Sequence, residues 1–208
     1  KESLGNNSEV IVVSMGPERV QKVIREALSK GADRGIHINE IPDIRSDPFA
    51  TSQVFANVIK DEHFDLIFSG LQSDDVGSGQ TGVILGEMLG MATATLVMAT
   101  EVQESSIKVK RELEAGWFQW ISMPTPASIT IQSGINQPRY PSLKGIMGAK
   151  KKEIKVVDSS TAVTTEKQQS FANIYLPIAD EKTEMIEGNV DQMVSRLVDV
   201  LRTEIKVI

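Results

Sequence analysis

The sequence contains no cysteine, which excludes disulfides, thiolate metal sites and cysteine nucleophiles. Histidine is almost missing as well: only His37 and His63 occur, and they do not form a ligand-spaced pair. A zinc centre or a Ser-His-Asp triad would have to be built from those two residues alone. No metal site and no catalytic side chain is therefore expected. No apolar run reaches the roughly 18 residues of a membrane span, so membrane insertion is not expected either. Basic charge is in deficit, with 22 Lys and Arg against 28 Asp and Glu and a formal net charge of −6. That balance argues against a nucleic-acid partner, whose phosphates require a cationic face. The chain opens on Lys-Glu-Ser-Leu-Gly, without an initiating methionine or an apolar stretch after a basic start. A processed or truncated chain is the expectation from that opening.

What is present describes an ordinary globular domain. Hydrophobic residues are 40% of the 208 and charged residues 24%, enough apolar matter for a sizeable core in one domain, or one domain with an arm. Glu9–Ser14 is a continuous apolar run, the pattern of a strand buried on both faces. It stops at Met15-Gly16-Pro17, and Pro17 suits the first turn of a helix. Val20, Val23, Ile24, Ala27 and Leu28 recur at helical spacing, and Gly31 closes that helix. A strand at Gly35–Ile38 follows, then a helix opened by Asp47-Pro48 with Phe49, Val54, Phe55 and Val58 as apolar positions. Asp65–Ser69 is another buried strand, leading through a glycine-rich loop to a helix with Val83, Ile84 and Leu85. Such alternation reads as βαβ units on a parallel sheet.

The pattern then changes. Ala94–Val102, Ile107–Leu113, Trp117–Met123 and Ala127–Ile131 are strand-like runs on short turns, expected to form an antiparallel meander. Trp117 and Trp120 are expected to face opposite sides, one core and one interface. Gly134–Lys152, with Pro138, Pro141 and several glycines, is expected as a long ordered loop, and Glu153–Val157 as a last strand. Asp158–Ser170 has a linker composition. Beyond it, Val190, Met193, Val194, Leu197, Val198 and Leu201 make one helical stripe, to be packed on its own core or on another subunit. The predicted boundaries are residues 1–157 for an α/β domain and 158–208 for a linker and helical arm.

The segment Ser69–Gly82 carries the chemistry. It follows a buried strand and opens a helix, where α/β sheets bind ligands. A helix N-terminus offers unpaired N–H groups and partial positive charge to a phosphate. Gly77, Gly79 and Gly82 permit close backbone approach, and Ser78 and Thr81 can donate hydroxyls. No Gly-Lys-Ser/Thr follows, so it is not a Walker loop. The plainer reading has glycines for a tight turn and Ser78 as an N-cap.

Met15-Gly16-Pro17, Gly31–His37, the Gly70–Gly82 loop, Arg111–Gly116, Asn136–Tyr140 and Pro141–Lys152 occur in this order, and together they resemble the electron transfer flavoprotein β-subunit family over residues 9 to 157. The resemblance implies a parallel-sheet, adenine-nucleotide-binding (Rossmann-like) α/β core with an added antiparallel meander and a C-terminal arm. It implies a heterodimer with an α subunit that holds most of a redox-active FAD. The β subunit binds a second nucleotide, AMP in the ordinary class or another FAD in electron-bifurcating members that use NADH. By position, Met15 and Gly16 lie beside that nucleotide, and Gly70, Gln72, Asp75, Val76, Gly77, Ser78, Gly79, Gln80 and Thr81 wrap it. Val76 and Gly79 stand where the AMP-binding form has an acidic residue and an asparagine, which leaves AMP versus FAD open. The family also carries a longer front, with a first strand and an Asn-Pro-Phe-type segment that touch the nucleotide; Lys1 begins after these, so the site would be incomplete without them.

Further roles follow from the same resemblance. Leu143 matches a leucine that anchors the complex to dehydrogenase partners, and Ile146 and Met147 widen that patch; the plainer reading has Leu143 folded back on its own loop. Glu112 matches a glutamate that pairs with an arginine of the mobile flavin domain; otherwise it is a strand residue facing water. Lys150, Lys151 and Lys152 would steer acidic partners or simply form a solvated edge. His37 reads as structural. The implied function is an electron carrier subunit, not itself an enzyme, between flavin dehydrogenases such as acyl-CoA dehydrogenases and a quinone oxidoreductase. The implied location is the cytoplasm of a prokaryote or the mitochondrial matrix. Two alternatives from other classes are a homodimeric adenine-nucleotide sensor of the stress-protein type and an adenylate-forming ligase. The latter lacks its Ser-Gly-Gly-x-Asp-Ser loop.

Overall fold

In the computed structural model, residues 8–39, 47–162, 167–176 and 183–208 are described. The elements run β1 (Ile11–Gly16), α1 (Val20–Ser29), β2 (Arg34–Asn39), α2 (Pro48–Ile59), β3 (Leu66–Gly70), α3 (Thr81–Met88), β4 (Ala92–Val102), β5 (Ser106–Glu112), β6 (Phe118–Pro124), β7 (Ala127–Ile131), α4 (Leu143–Ala149), β8 (Ile154–Asp158) and α5 (Val190–Asp199). The chain forms two compact units, residues 1–171 and 172–208.

The strands of the first unit fall into two sheets. One is all parallel, in the order β1-β2-β8, with Ile11 opposite Arg34 and Gly35 opposite Ile154. The other is mixed, in the order β3-β7-β4-β5-β6. Only β4, β5 and β6 make the expected antiparallel meander. β7 leaves it and inserts parallel between β3 and β4, with Ser69 opposite Thr130 and Thr93 opposite Ser128. β1 and β3 are thus outer strands of their sheets among the described residues.

Local chemistry explains most element ends. Asp47 caps α2, its Oδ1 accepting from Phe49 N at 2.9 Å and Ala50 N at 3.2 Å, and Pro48 takes the first helical position, where its missing N–H costs nothing. Burial pushes the Asp47 carboxyl up, but backbone N–H donors of Gln168, Ala50, Gln169 and Phe49 outweigh it and hold the group below its ordinary value. The same bonds pin part of the predicted linker, as does Asn57 Nδ2, which donates to Ala162 O at 2.7 Å. Residues 163–166 of that linker lie outside the described residues. The Arg111–Gly116 motif ends a strand and makes its turn: Ala115 (φ 55°) and Gly116 (φ 77°) are left-handed, and Leu113 N donates to Trp117 O. Arg111 itself donates to Thr95 O and Thr95 Oγ1 beside the β4 bulge.

The core sits around Ile36, Ile38 and Val54 in one layer, Ile24 and Leu28 in another, and Val97, Ile107, Val109 and Ile129 in the mixed sheet. Several expectations are corrected. Val23 is exposed on the outer face of α1, opposite Ile24 and Leu28, and Phe49 is also partly open. Both tryptophans are exposed, Trp117 at the turn before β6 and Trp120 on β6 itself; Trp120 lies under Lys108 Nζ at 4.8 Å, and Phe118 under Lys110 Nζ at 4.0 Å. The Gly134–Lys152 stretch is not all loop, since it contains α4, capped by Ser142 Oγ accepting from Gly145 N at 3.0 Å. His37 is structural as expected: it is buried, with Nε2 2.9 Å from Gly16 O and Nδ1 3.3 Å from Gln21 Nε2.

In the second unit, Asn189 and Gln192 form a reciprocal capping box at the start of α5. Val190, Val194, Leu197 and Val198 of its apolar stripe are exposed. Arg196 is ion-paired to Glu184, Glu204 and Asp199.

Candidate functional site

A cavity of about 790 Å³ opens between the outer edges of β1 and β3. One end is apolar, lined by Val12, Phe55, Ile59, Phe64, Ile67 and Leu85 among others. The other end is polar, where Ser69–Ser73 from the end of β3 meet Ser78–Gly82 at the start of α3. The lining includes one ionisable side chain, Glu9, already engaged by Arg34, whose Nε is 2.9 Å from Glu9 Oε1 and whose Nη2 is 2.5 Å from Glu62 Oε2. The hydrogen bond from Arg34 holds the Glu62 carboxyl below its usual range. With no cation in the lining, an anionic ligand would be met by hydroxyls, amides and the N-terminus of α3.

The start of α3 is held from below. Ser128 Oγ donates to Gly82 O at 3.1 Å, and Ser52 Oγ lies within hydrogen-bond distance of both Pro48 O, at 2.6 Å, and Thr81 O, at 2.9 Å. A Cβ at Gly82 would lie 2.1 Å from Ser69 Oγ, and one at Gly86 would lie 2.7 Å from Ser128 Cβ. These glycines, one turn apart, seat α3 directly on β3 and β7. Gly82 therefore serves helix packing as well as lining the cavity. Gly77 (φ 63°) and Gly79 (φ 61°) are left-handed, a conformation glycine adopts freely and asparagine tolerates. Ser78 does not cap α3: the cap position is Gln80, without a side-chain cap bond.

A phosphate is chemically compatible with the polar end, where Ser78, Thr81 and the start of α3 line the cavity. Ser69 Oγ, in the cavity lining, is buried without a hydrogen-bond partner among the described residues, as is Thr130 Oγ1 on the paired strand. A buried hydroxyl without a partner is uncommon; that of Ser69 lies under α3, against Gly82.

Of the residues expected to wrap a nucleotide, the cavity brings together Gly70, Gln72, Ser78, Gly79, Gln80 and Thr81. Met15 and Gly16 lie outside that lining; Met15 packs against the core around Ile36, Ile38 and Val54, and the Gly16 carbonyl faces His37. Asp75, Val76 and Gly77 also lie outside it, at the exposed tip of the loop, where Val76 N donates to Asp75 Oδ1 and Gly77 N to Ser73 O.

A second feature lies on α4. Leu143 is 84% exposed and Met147, one turn later, 71%, with Ile146 at 42%; Leu143 does not fold back onto its loop. Tyr140 just before them is 95% exposed. Lys150 and Lys151 are exposed, but Lys152 is not part of a free basic edge: its Nζ donates to Leu28 O at 3.0 Å and Ala32 O at 2.5 Å. Glu112 is half-buried and accepts from Gln132 Nε2 at 3.0 Å.

A family model for the electron transfer flavoprotein domain matches residues 1–162. The electron transfer flavoprotein subunit beta of Methylophilus methylotrophus is 34% identical over 210 residues, taking in 97% of this chain and 79% of that protein. That of Bacillus subtilis is 34% identical over 204 residues, 96% of this chain and 79% of its own length. The chain belongs to the electron transfer flavoprotein β-subunit family. Similarity extends to the Homo sapiens β subunit, at 37% identity over 152 residues, covering 72% of this chain and 59% of the human protein. Family membership sets aside the sensor and ligase alternatives, and it gives a role in flavin-dependent electron transfer at the level of the family. No described helix is long and apolar enough to cross a membrane, and no cluster of potential metal ligands occurs among the described residues.

Ser52, Ser69 and Ser128, which hold or line the start of α3, are not singled out by any motif. Ser69 alone has a sequence signal, its place at the strand end before Gly70.

Proposed function

We propose that this chain is the β subunit of a heterodimeric electron transfer flavoprotein, an electron carrier subunit and not itself an enzyme. In this reading the polar end of the cavity clamps the phosphate of AMP, and α4 presents Leu143 to flavin dehydrogenases such as acyl-CoA dehydrogenases. Electrons would go on to a quinone oxidoreductase. FAD, held mostly by the α subunit, supplies the redox chemistry when bound. The observation that carries the reading is the placement of Ser78 and Thr81 in the cavity lining at a helix start held down by Ser128 through the Gly82 carbonyl.

What this chain's residues do is binding and orientation. Ser78 and Thr81 donate to phosphate oxygens, the α3 amides supply the positive end of the helix, and the apolar walls exclude water from the rest of the ligand. Glu112 pairs weakly with an arginine of the flavin-bearing domain; an exposed pair is worth about 0–1 kcal/mol, which lets that domain change orientation.

The Ser78→Ala/Thr81→Val variant tests the phosphate clamp. Each hydrogen bond to a charged group contributes about 1.5–3 kcal/mol, so AMP should be lost from the purified heterodimer while FAD stays. Undiminished AMP content would overturn the assignment.

A further inference from the structure

We propose that Arg25, on α1, and Lys152, just past α4, are positioning residues, which lock α4 against α1 by supplying cations to the C-terminal ends of α4 and α1 respectively and so hold Leu143 and Met147 as a preformed docking head. The inference rests on the docking role proposed above for Leu143 and adds what keeps that surface in shape.

A helix of seven residues is not stable by itself in water; helix formation needs a longer run or tertiary support. α4 also carries Gly145 and Gly148, which lower its propensity further. Its support comes from the C-terminal end of α1. Arg25, on the last turns of α1, directs Nη1 to Ala149 O and Lys152 O, both at 2.5 Å. These are carbonyls at and just past the end of α4, where a helix leaves acceptors unpaired and where positive charge is favourable. In return, Lys152 directs Nζ to Leu28 O and Ala32 O at the end of α1. The end of α4 thus receives a cation from α1, and the end of α1 receives one from the bend just past α4.

Packing makes the exchange specific. Ala149 is 3% exposed and joins Ile24, Leu28 and Ala32 in one cluster. A Cβ on Gly145 would lie 2.3 Å from Ser29 O, so glycine there brings α4 onto the α1 terminus. The inner face of α4 is in this way tied down by Gly145, Ala149 and two cations, and its outer face leaves Leu143 and Met147 in solvent. A head already held in its bound shape loses little conformational freedom on docking, which favours affinity without new contacts.

The test uses the complete heterodimer with its nucleotides, and an acyl-CoA dehydrogenase reduced by its thioester substrate as the electron donor. Wild type is compared with Arg25→Gln, Arg25→Lys, Lys152→Met and Leu143→Ala. Two readouts are taken, backbone hydrogen exchange over residues 143–152 and the KM and kcat for the donor. Arg25→Gln should speed exchange in that segment about tenfold, as expected for losing charge-assisted bonds, and raise KM with kcat unchanged. Arg25→Lys should restore part of both. Lys152→Met, which leaves Arg25 in place, should give the same pattern and serves if Arg25→Gln fails to fold. Leu143→Ala should raise KM without changing exchange. Unchanged exchange in Arg25→Gln or Lys152→Met would overturn the locking of α4 by these cations. Faster exchange at unchanged KM would overturn the preformed head. Unchanged KM in Leu143→Ala would instead overturn the docking role of Leu143, whatever the exchange data give.

Discussion

Gly82 and Gly79 lie three residues apart and are glycine for different reasons. At Gly82 the reason is space: a methyl group would fall 2.1 Å from Ser69 Oγ and 2.9 Å from Thr130 Cγ2. Gly82→Ala should therefore push α3 off its sheet and cost about 1–3 kcal/mol, seen as a lower urea midpoint, and should lower nucleotide content with it. At Gly79 the reason is backbone: φ is 61° and the nearest atoms to an added Cβ are at 3.6 Å or more. Gly79→Asn should be nearly neutral, whereas Gly79→Val should cost about 1–2 kcal/mol. Equal effects of the two substitutions in thermal melts would show that space, not conformation, decides the position. Both glycines are visible in the sequence, but their distinct duties are not, because the atoms that make Gly82 necessary come from β3 and from β7 far along the chain.

Among the elements, legibility followed locality. The strands β1, β2 and β3 announce themselves as short apolar runs, and α2 by Asp47-Pro48 at its start. β1 and β3, expected to be buried on both faces, are outer strands among the described residues and only part-buried. β7 looks like one more strand of the meander, since nothing in its own residues reports that it pairs with β3. α4 escapes a propensity argument because its glycines and the neighbouring prolines read as loop, while its stability is supplied by α1. The cap of α2 is an element-scale device with a pH signature. Folded Asp47 binds its proton less readily than an ordinary carboxylate, because the four backbone donors outweigh the burial that opposes them. Its contribution is fully present above the unfolded value near 4, and it is lost as pH falls through the lower folded value. Asp47→Ala should cost at least about 1 kcal/mol at neutral pH. The gap between wild type and variant in denaturant unfolding should close below about pH 4; a gap that persists there would contradict the role of the ionised carboxylate.

For the whole molecule, the account describes a scaffold that binds and presents but needs no bond-making side chain. The absence of cysteine already excludes thiol chemistry. The cavity lies at the end of β3 and the start of α3, where the glycine-rich segment predicted a ligand, while Met15, Gly16 and residues 75–77 fall outside it. The proposed docking surface stands on a different helix, α4, so nucleotide clamping and partner recognition should be separable by mutation. The most direct measurement is to denature the native heterodimer and count the nucleotides it releases. One FAD and one AMP per heterodimer is the predicted result. Two FAD would put a flavin in place of AMP at Gly70–Thr81 and make the complex a bifurcating one. Release of FAD with no second nucleotide would contradict the claim that the cavity between β1 and β3 is a nucleotide clamp.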